Sequence, residues 1–270
     1  MMSFRSFALG AVNRVLRLKS FLKRVGNLFG PAGGVSSHYV QLRGGEAVQE
    51  SSRLRGAWRS QDLPVRQREL VDTQLAALRR GEPVDVFDVM TRALRALPSD
   101  VRGMSVLEVG CSSGFYSEVF EIAGLDVSYA GCDYSDAFIG LARHKYPALR
   151  FEVEDATALN YGDNAFDIVI SGCCLLHIPE YEAAVAETAR VACRYAIFHR
   201  TPVVLGQPNV YYRKQAYGVE TVEIHFNEPQ FLTLLDRQSL ELIATYTLDE
   251  FVQDGVGSAN RTYVCKKMDS

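Results

Sequence analysis

Three acidic residues recur through the middle of the chain, each beside a short apolar run. Glu108 lies in "VLEVGCSSGF", Asp133 closes "YAGCD", and Asp155 follows "FEVE". A tight turn carrying Gly110 and Gly114 follows the first, and Asp133 comes 19 residues after Gly114. A carboxylate at a strand end repels phosphate and favours a cation or hydroxyl groups. At the end of the second strand it is placed to accept hydrogen bonds from a ribose. Asp155 could accept from an adenine amino group while the Ala156 amide donates to the ring. The turn narrows the choice further. A dinucleotide fingerprint needs a glycine where Ser112 stands, and no Gly-Lys-Ser/Thr follows to form a phosphate loop. The expected ligand therefore has a ribose, an adenine and a positive charge but no phosphate. S-adenosylmethionine (SAM), with its sulfonium and ammonium groups, has that chemistry, and an NAD(P)-linked oxidoreductase is disfavoured.

The elements that must position these residues begin at about residue 103. Strand patterns at 105–109, 127–132, 150–153, 166–171 and 195–199 alternate with helical patterns at 117–123, 135–145 and 182–191. Such alternation predicts a parallel sheet with helices on both faces. A helix over 229–238 and strands over 240–248 and 261–266 complete the domain, which spans 99–270. Ahead of it, apolar stripes predict helices over 68–80, ending at Gly81, and 84–97, ending before Pro98. With the Gly/Ser/Pro-rich stretch 29–38 as a hinge, residues 31–98 read as a linker and helical cap.

The stretches "VLEVGCSSG", "GCDYS", "VEDATAL" and "FDIVISGCCLLHI" resemble, in order and spacing, the successive motifs of class I SAM-dependent methyltransferases. The resemblance covers about residues 100–200. It implies a doubly wound, Rossmann-like, seven-stranded sheet whose last strand is antiparallel. It implies further that Glu108, Gly110 and Gly114 line the methionine end of SAM, that Asp133 holds the ribose, and that Asp155 and Ala156 hold the adenine, with Cys111 and Tyr134 also among the cofactor-binding residues. Ser171 would present its carbonyl to the ligand. Cys111, Ser112 and Ser113 depart from the glycine-richer turn of many members.

Methyl transfer to a hydroxyl is helped by a base. His177, in "CCLLHIPEY", and His199, in "IFHRTP", fall at the active end of the sheet and are the catalytic candidates. "VYYRKQAYG" interrupts the strand–helix alternation within an insertion at 202–226. Tyr211, Tyr212, Arg213 and Tyr217 in it are the candidates for acceptor binding. "HRTP" with the helix "FNEPQFLTLL" resembles bacterial methyltransferases, some associated with surface glycan synthesis. The expected function is O-methylation of a small-molecule or glycan acceptor. The alternatives are a quinone-type C-methyltransferase at the membrane surface and a non-catalytic SAM-binding protein.

Charge and cysteine usage bound the setting. Residues 1–30 hold six Lys or Arg and no acid, leaving 23 basic against 32 acidic residues in the rest, a net of −9. An acidic body argues against a nucleic-acid partner. Residues 4–29 carry a continuous apolar stripe flanked by basic side chains. This basic amphipathic helix would suit either peripheral contact with an inner membrane surface or packing on protein. The six cysteines show no CxxC pair or zinc spacing, so they read as reduced and structural, with no metal, in a cytoplasmic protein.

Overall fold

Strand β1 (Ser36–Leu42) begins where the sequence suggested a hinge, because Ser36 and Ser37 pair into a sheet. The structure is a computed structural model describing residues 36–204 and 206–268. The chain divides into units at 1–35 and 36–270. The expected basic helix over 4–29, and with it the membrane contact, lies outside the described residues. After β1 come helices α1 (Glu46–Arg53), α2 (Leu63–Arg79) and α3 (Asp85–Arg95), with a 3-10 turn at Ala57–Arg59 between the first two. The cap segment is thus a strand followed by helices.

The parallel core runs β2 (Ser105–Val109), α4 (Tyr116–Ile122), β3 (Ser128–Asp133), α5 (Asp136–Lys145), β4 (Arg150–Val153), β5 (Phe166–Gly172), α6 (Tyr181–Val191) and β6 (Ala192–Val204). Strands buried on both faces read as apolar runs rather than alternations. In β2, Val106 enters a core shared with Phe87, Met90 and Leu94 of α3, while Leu107 and Val109 enter the opposite core with Val169 and Val191. Further along the chain lie β7 (Val210–Ala216), β8 (Val219–Asn227), α7 (Glu228–Arg237), β9 (Leu240–Gln253) and β10 (Val256–Lys267). The helix α7 starts cleanly: the Asn227 side chain accepts from the Gln230 amide at 2.9 Å, and Pro229 occupies the first turn.

Strand order places β4, β3, β2, β5 and β6 side by side, with β10 antiparallel to β6 and β9 antiparallel to β10. This is the expected seven-stranded sheet with its antiparallel last strand. Order reverses at β2, between β3 and β5, and a ligand belongs beyond the carboxyl ends there.

The insertion is a finding of its own. Residues expected to loop over 202–226 form the β7–β8 hairpin, whose open edge pairs with β1 and whose end joins β6 through Val203 and Val204. The hairpin turns in two residues, Tyr217 and Gly218, at φ of 48° and 80°. Two left-handed residues in a row match the twist of the strands.

Candidate active site

The glycine turn closes through left-handed backbone. Gly110 and Gly114 have φ of 74° and 72°, and Ser112 between them has φ of 48°. Space also forbids a side chain at Gly110, where a Cβ would lie 2.4 Å from Cβ of Cys174. The amides of Gly110 and Cys111 donate to the Cys132 carbonyl at 2.8 and 3.0 Å, which ties the turn to β3.

The same turn binds the next carboxylate. Asp133 accepts from the Ser112 amide through Oδ2 and from the Ser135 amide through Oδ1, both at 3.0 Å. Burial still pushes its pKa up to about 6, with those amides pulling the other way. Glu108 is buried nearby and accepts from the Tyr129 hydroxyl. Burial raises it to about 8; Tyr129 opposes the rise and Asp133 adds to it. A Cβ on Gly172 would fall 2.5 Å from Glu108 Oε1, so β5 ends on a glycine where the carboxylate needs the room.

These residues fit SAM. Neither carboxylate has a cation among the groups that shift it, and the hydroxyls of Ser112, Ser113 and Ser135 are buried without a hydrogen-bond partner. Buried acceptors with no internal cation are costly unless a ligand completes them. Glu108 would hold the ammonium, and Asp133 the ribose hydroxyls.

On the adenine side, Asp155 accepts from the Thr157 amide and hydroxyl at 2.9 and 2.7 Å. Burial raises its pKa, but those bonds carry it below the usual carboxylate range. Half-buried Ala156 packs against both neighbouring cores. Tyr134 donates to the Arg55 carbonyl at 3.1 Å, and the Arg59 guanidinium lies 5.0 Å from its ring centre. The 3-10 turn of the cap thus lies over this side.

One expectation needs correction here. The side chain of Cys111 faces the core under the turn, fully buried against Gly131, and burial drives its thiol pKa well up. Only its backbone can meet a ligand. The Ser171 carbonyl accepts the Cys173 amide at 3.1 Å, where Cys173 turns at φ 59°, and keeps a second lone pair for a ligand.

The acceptor side is assembled from several elements. His177 lies in the 3-10 turn after β5, and its Nδ1 meets the Val222 carbonyl at 2.7 Å. A carbonyl only accepts, so Nδ1 carries the proton and Nε2 is left with a lone pair. Burial, then the Lys214 charge, lowers its pKa to about 4. The Trp58 ring packs 4.6 Å from the His177 ring, and its Nε1 donates to Thr221 Oγ1 at 3.0 Å. Tyr217 approaches the same indole from the hairpin tip, at 6.4 Å.

His199 is placed differently from the expectation. It is 1% exposed, and its ring nitrogens meet the Tyr116 hydroxyl at 2.8 Å and the Thr262 hydroxyl at 2.9 Å. Burial and the Arg200 charge drive its pKa well down. It is a neutral, fully bonded strut rather than a free base. Tyr212 is wholly buried, with its hydroxyl on the Gln253 carbonyl at 3.3 Å, and therefore belongs to the hairpin's core. Arg213 pairs with Glu50 at 3.4 Å and Glu220 at 3.7 Å, tying hairpin to α1. Half-buried Tyr211 packs on Leu42 and Val222. Of the four insertion candidates, the structure brings Tyr217 to Trp58, whose ring also packs on His177.

Sequence reasoning missed Trp58, Tyr116 and Thr221. Trp58 is the only tryptophan in the chain, and Tyr116 follows the glycine turn by two residues. Those were the available signals.

A buried, cation-seeking pocket at the switch point of a doubly wound sheet defines a nucleoside-binding domain built for SAM. Residues 107–198 match the family model described as a methyltransferase domain. Residues 107–198 thus carry a methyltransferase domain of the SAM-dependent type, whose cofactor is SAM. Over 105 residues the chain is 37% identical to a demethylmenaquinone methyltransferase of Renibacterium salmoninarum, covering 37% of this chain and 44% of that protein. Over 94 residues it is 34% identical to a phthiotriol/phenolphthiotriol dimycocerosates methyltransferase of Mycobacterium tuberculosis, covering 34% of this chain and 35% of that protein. The chain spans less than half the length of these relatives. In fold it is similar to the magnesium protoporphyrin IX methyltransferase of Synechocystis with bound SAM, with a TM-score of 0.54 at 17% identity over 81% of this chain and 97% of that one. No helix among the described residues is long and apolar enough to cross a membrane.

Proposed function

We propose that the protein methylates a small molecule through an acidic, phenol-like hydroxyl, with His177 as the base. Bound SAM supplies an electrophilic methyl carbon. Glu108 and Asp133 fix the cofactor, and Trp58 of the cap turn packs on the His177 ring. The observation that carries the reading is the His177 tautomer. Its Nδ1–H is anchored on Val222, and its lone pair at Nε2 is neutral and ready to take a proton. A base whose pKa lies near 4 is weak, which matches it to an acceptor hydroxyl that is itself acidic. A glycan hydroxyl is a poorer match.

The relatives named demethylmenaquinone methyltransferase favour a second reading. In it, the same base removes the proton of a quinol-type hydroxyl, and the ring carbon takes the methyl group as the methyl–sulfonium bond breaks. That carbon then releases its own hydrogen as a proton while the hydroxyl is re-formed. Both readings share the base and differ in the acceptor atom.

The test is transfer of labelled methyl from SAM to a panel of phenols, quinols and sugars. His177→Gln is expected to lower turnover on the accepted compound about 10²–10⁴-fold, the usual loss of a general base. Product mass spectrometry then assigns oxygen or carbon. Full turnover in His177→Gln would remove the base.

A further inference from the structure

The acceptor side of the mouth holds a guanidinium that no group described above uses. Strand β6 carries a bulge there. Phe198 pairs with Tyr263 and Thr201 with Arg261, so His199 and Arg200 together oppose Thr262 alone. The Arg200 amide and the His199 ring both reach the Thr262 hydroxyl, at 3.4 and 2.9 Å. Successive residues of a regular strand point to opposite faces. A bulge breaks that rule and re-aims a side chain. Here it requires Arg200 to adopt φ 54°, a left-handed conformation that disfavours any residue with a Cβ.

The side chain so placed is uncompensated. Arg200 is half-buried, and its Nε is sealed from water without a hydrogen-bond partner. Among the described residues it forms no ion pair. Other arginines with sheltered guanidinium groups are paired: Arg68 with Asp72 and Glu118, and Arg261 with Glu228. The groups that act on the Arg200 charge are Cys173 foremost, then Tyr116 and Tyr217, and last Asp249. Burial raises the pKa of both tyrosines, so they are neutral at neutral pH. Asp249 is exposed and already accepts from Asn260 at 2.8 Å. A sheltered cation without a counter-charge is unfavourable unless a ligand supplies one. Backbone strain held at such a place is a mark of function.

We propose that Arg200 is the anion receptor of the acceptor pocket, so that the acceptor carries a carboxylate or phosphate beside the hydroxyl to be methylated. The inference rests on the methyl-transfer reading and narrows its substrate class. The neighbours give the direction. Cys173 ends the strand next to the methionine seat, and Tyr217 belongs to the hairpin beside Trp58 and His177. An anion between them can bind the guanidinium through two parallel N–H bonds. The cofactor's own carboxylate has the same chemistry, and the test separates the two sources.

The test uses the full chain. S-adenosylhomocysteine and 5′-methylthioadenosine, which lacks the amino-acid part, are titrated into wild type and Arg200→Gln. Benzoate, inorganic phosphate and neutral benzyl alcohol are then tested as probes on the S-adenosylhomocysteine-loaded protein by thermal shift. We expect both nucleosides to bind the variant within about twofold of wild type. Benzoate or phosphate should give a saturable stabilisation of wild type that Arg200→Lys keeps in part and Arg200→Gln loses, and benzyl alcohol should give none. On wild type alone, phenylglyoxal should label Arg200 at least about tenfold more slowly when the effective anion is present, which needs no folded variant. A tenfold loss of S-adenosylhomocysteine affinity with methylthioadenosine unchanged would assign Arg200 to the cofactor and overturn the proposal. Absence of any saturable anion effect, or of protection from phenylglyoxal, would do the same. Failure of wild type to bind S-adenosylhomocysteine at all would instead remove the methyl-transfer reading, and this proposal with it.

Discussion

On the β2–β4 side of the mouth, backbone does the holding; on the β6–β8 side, side chains hold one another. Asp133 is fixed by two amides, and Glu108 sits where Gly110 and Gly172 leave room. Across the mouth, Lys214 and His225 both bond the buried Glu223 carboxylate, and Ser36 and Ser258 take up the remaining donors. Burial pushes Glu223 up, but Lys214 and then His225 carry it well below the usual range, so the cluster is an internally neutralised set. The cofactor side keeps its carboxylates without internal cations. A ligand-seeking site and a structural lock are made from similar residues, and the presence or absence of the counter-charge tells them apart. Arg200 reads as ligand-seeking by the same criterion, and Arg213 as a lock.

The strongest test of this contrast is Gly110→Ala. One methyl group would meet Cβ of Cys174 at 2.4 Å in a backbone held at φ 74°. Neither atom is the far end of a flexible chain, so the turn must move. Loss of cofactor affinity by about 100-fold or more is expected, with a stability loss on the order of 1–3 kcal/mol from the strained backbone. Calorimetric titration and thermal melting measure the two. Near-native binding would show that the turn is less constrained than its contacts require.

A smaller effect should appear in the pH dependence of the cofactor-free protein. Glu108 and Asp133 titrate at about 8 and about 6, above their ordinary values near 4.5 and 3.8. Between those limits the folded chain binds more protons at these sites than the unfolded chain. Stability must therefore fall as pH rises from about 5 to 8, with a slope of up to about 1.4 kcal/mol per pH unit for one group. Glu108→Gln should flatten the part of the slope above pH 6, since only Asp133 would remain and it finishes titrating near there. Saturating SAM should oppose the fall in wild type by pairing the ionised carboxylate. A flat wild-type profile would mean that Glu108 finds a counter-charge without the ligand.

The contrast also explains what could be read beforehand. Glu108, Asp133 and the glycine turn lie within 26 residues of chain, where strand, turn and helix are local patterns. The parallel sheet with helices on both faces followed from the same periodicity, and its seven strands from the family resemblance. The acceptor side is assembled from distant segments: Trp58 meets Thr221 across 163 residues, and His199 meets Tyr116 across 83. No local pattern encodes such pairs. The β6 bulge was hidden as well, because "FHRTP" reads as a strand end until Thr262 is seen opposite. The hairpin reads only as an insertion from sequence, although its alternation is present in "VYYRKQA", where Val210, Tyr212, Lys214 and Ala216 are buried. A lysine in the buried phase disguised the period, and only its Glu223 partner makes that placement tolerable.

The smallest effect belongs to Arg213, and it sharpens the distinction between lock and receptor. Its side chain is 37% exposed, and its partners Glu50 and Glu220 are 19% and 36% exposed. Both partners also pair with Arg53, so the acids keep a cation when Arg213 is removed. Pairs this open to water are screened, and their net contribution is small. Arg213→Ala should therefore shift Tm by less than about 2 °C at low salt, with the difference fading in high salt. It should leave the acceptor's KM unchanged, because the guanidinium is committed to α1 and β8 rather than to the mouth. Steady-state kinetics on the acceptor found in the methyl-transfer screen would check this. A rise in KM of tenfold or more with kcat intact would mark lost uniform binding. Arg213 would then belong with Arg200 among the groups that meet the acceptor, and the division between the two sides would have to be redrawn through the hairpin.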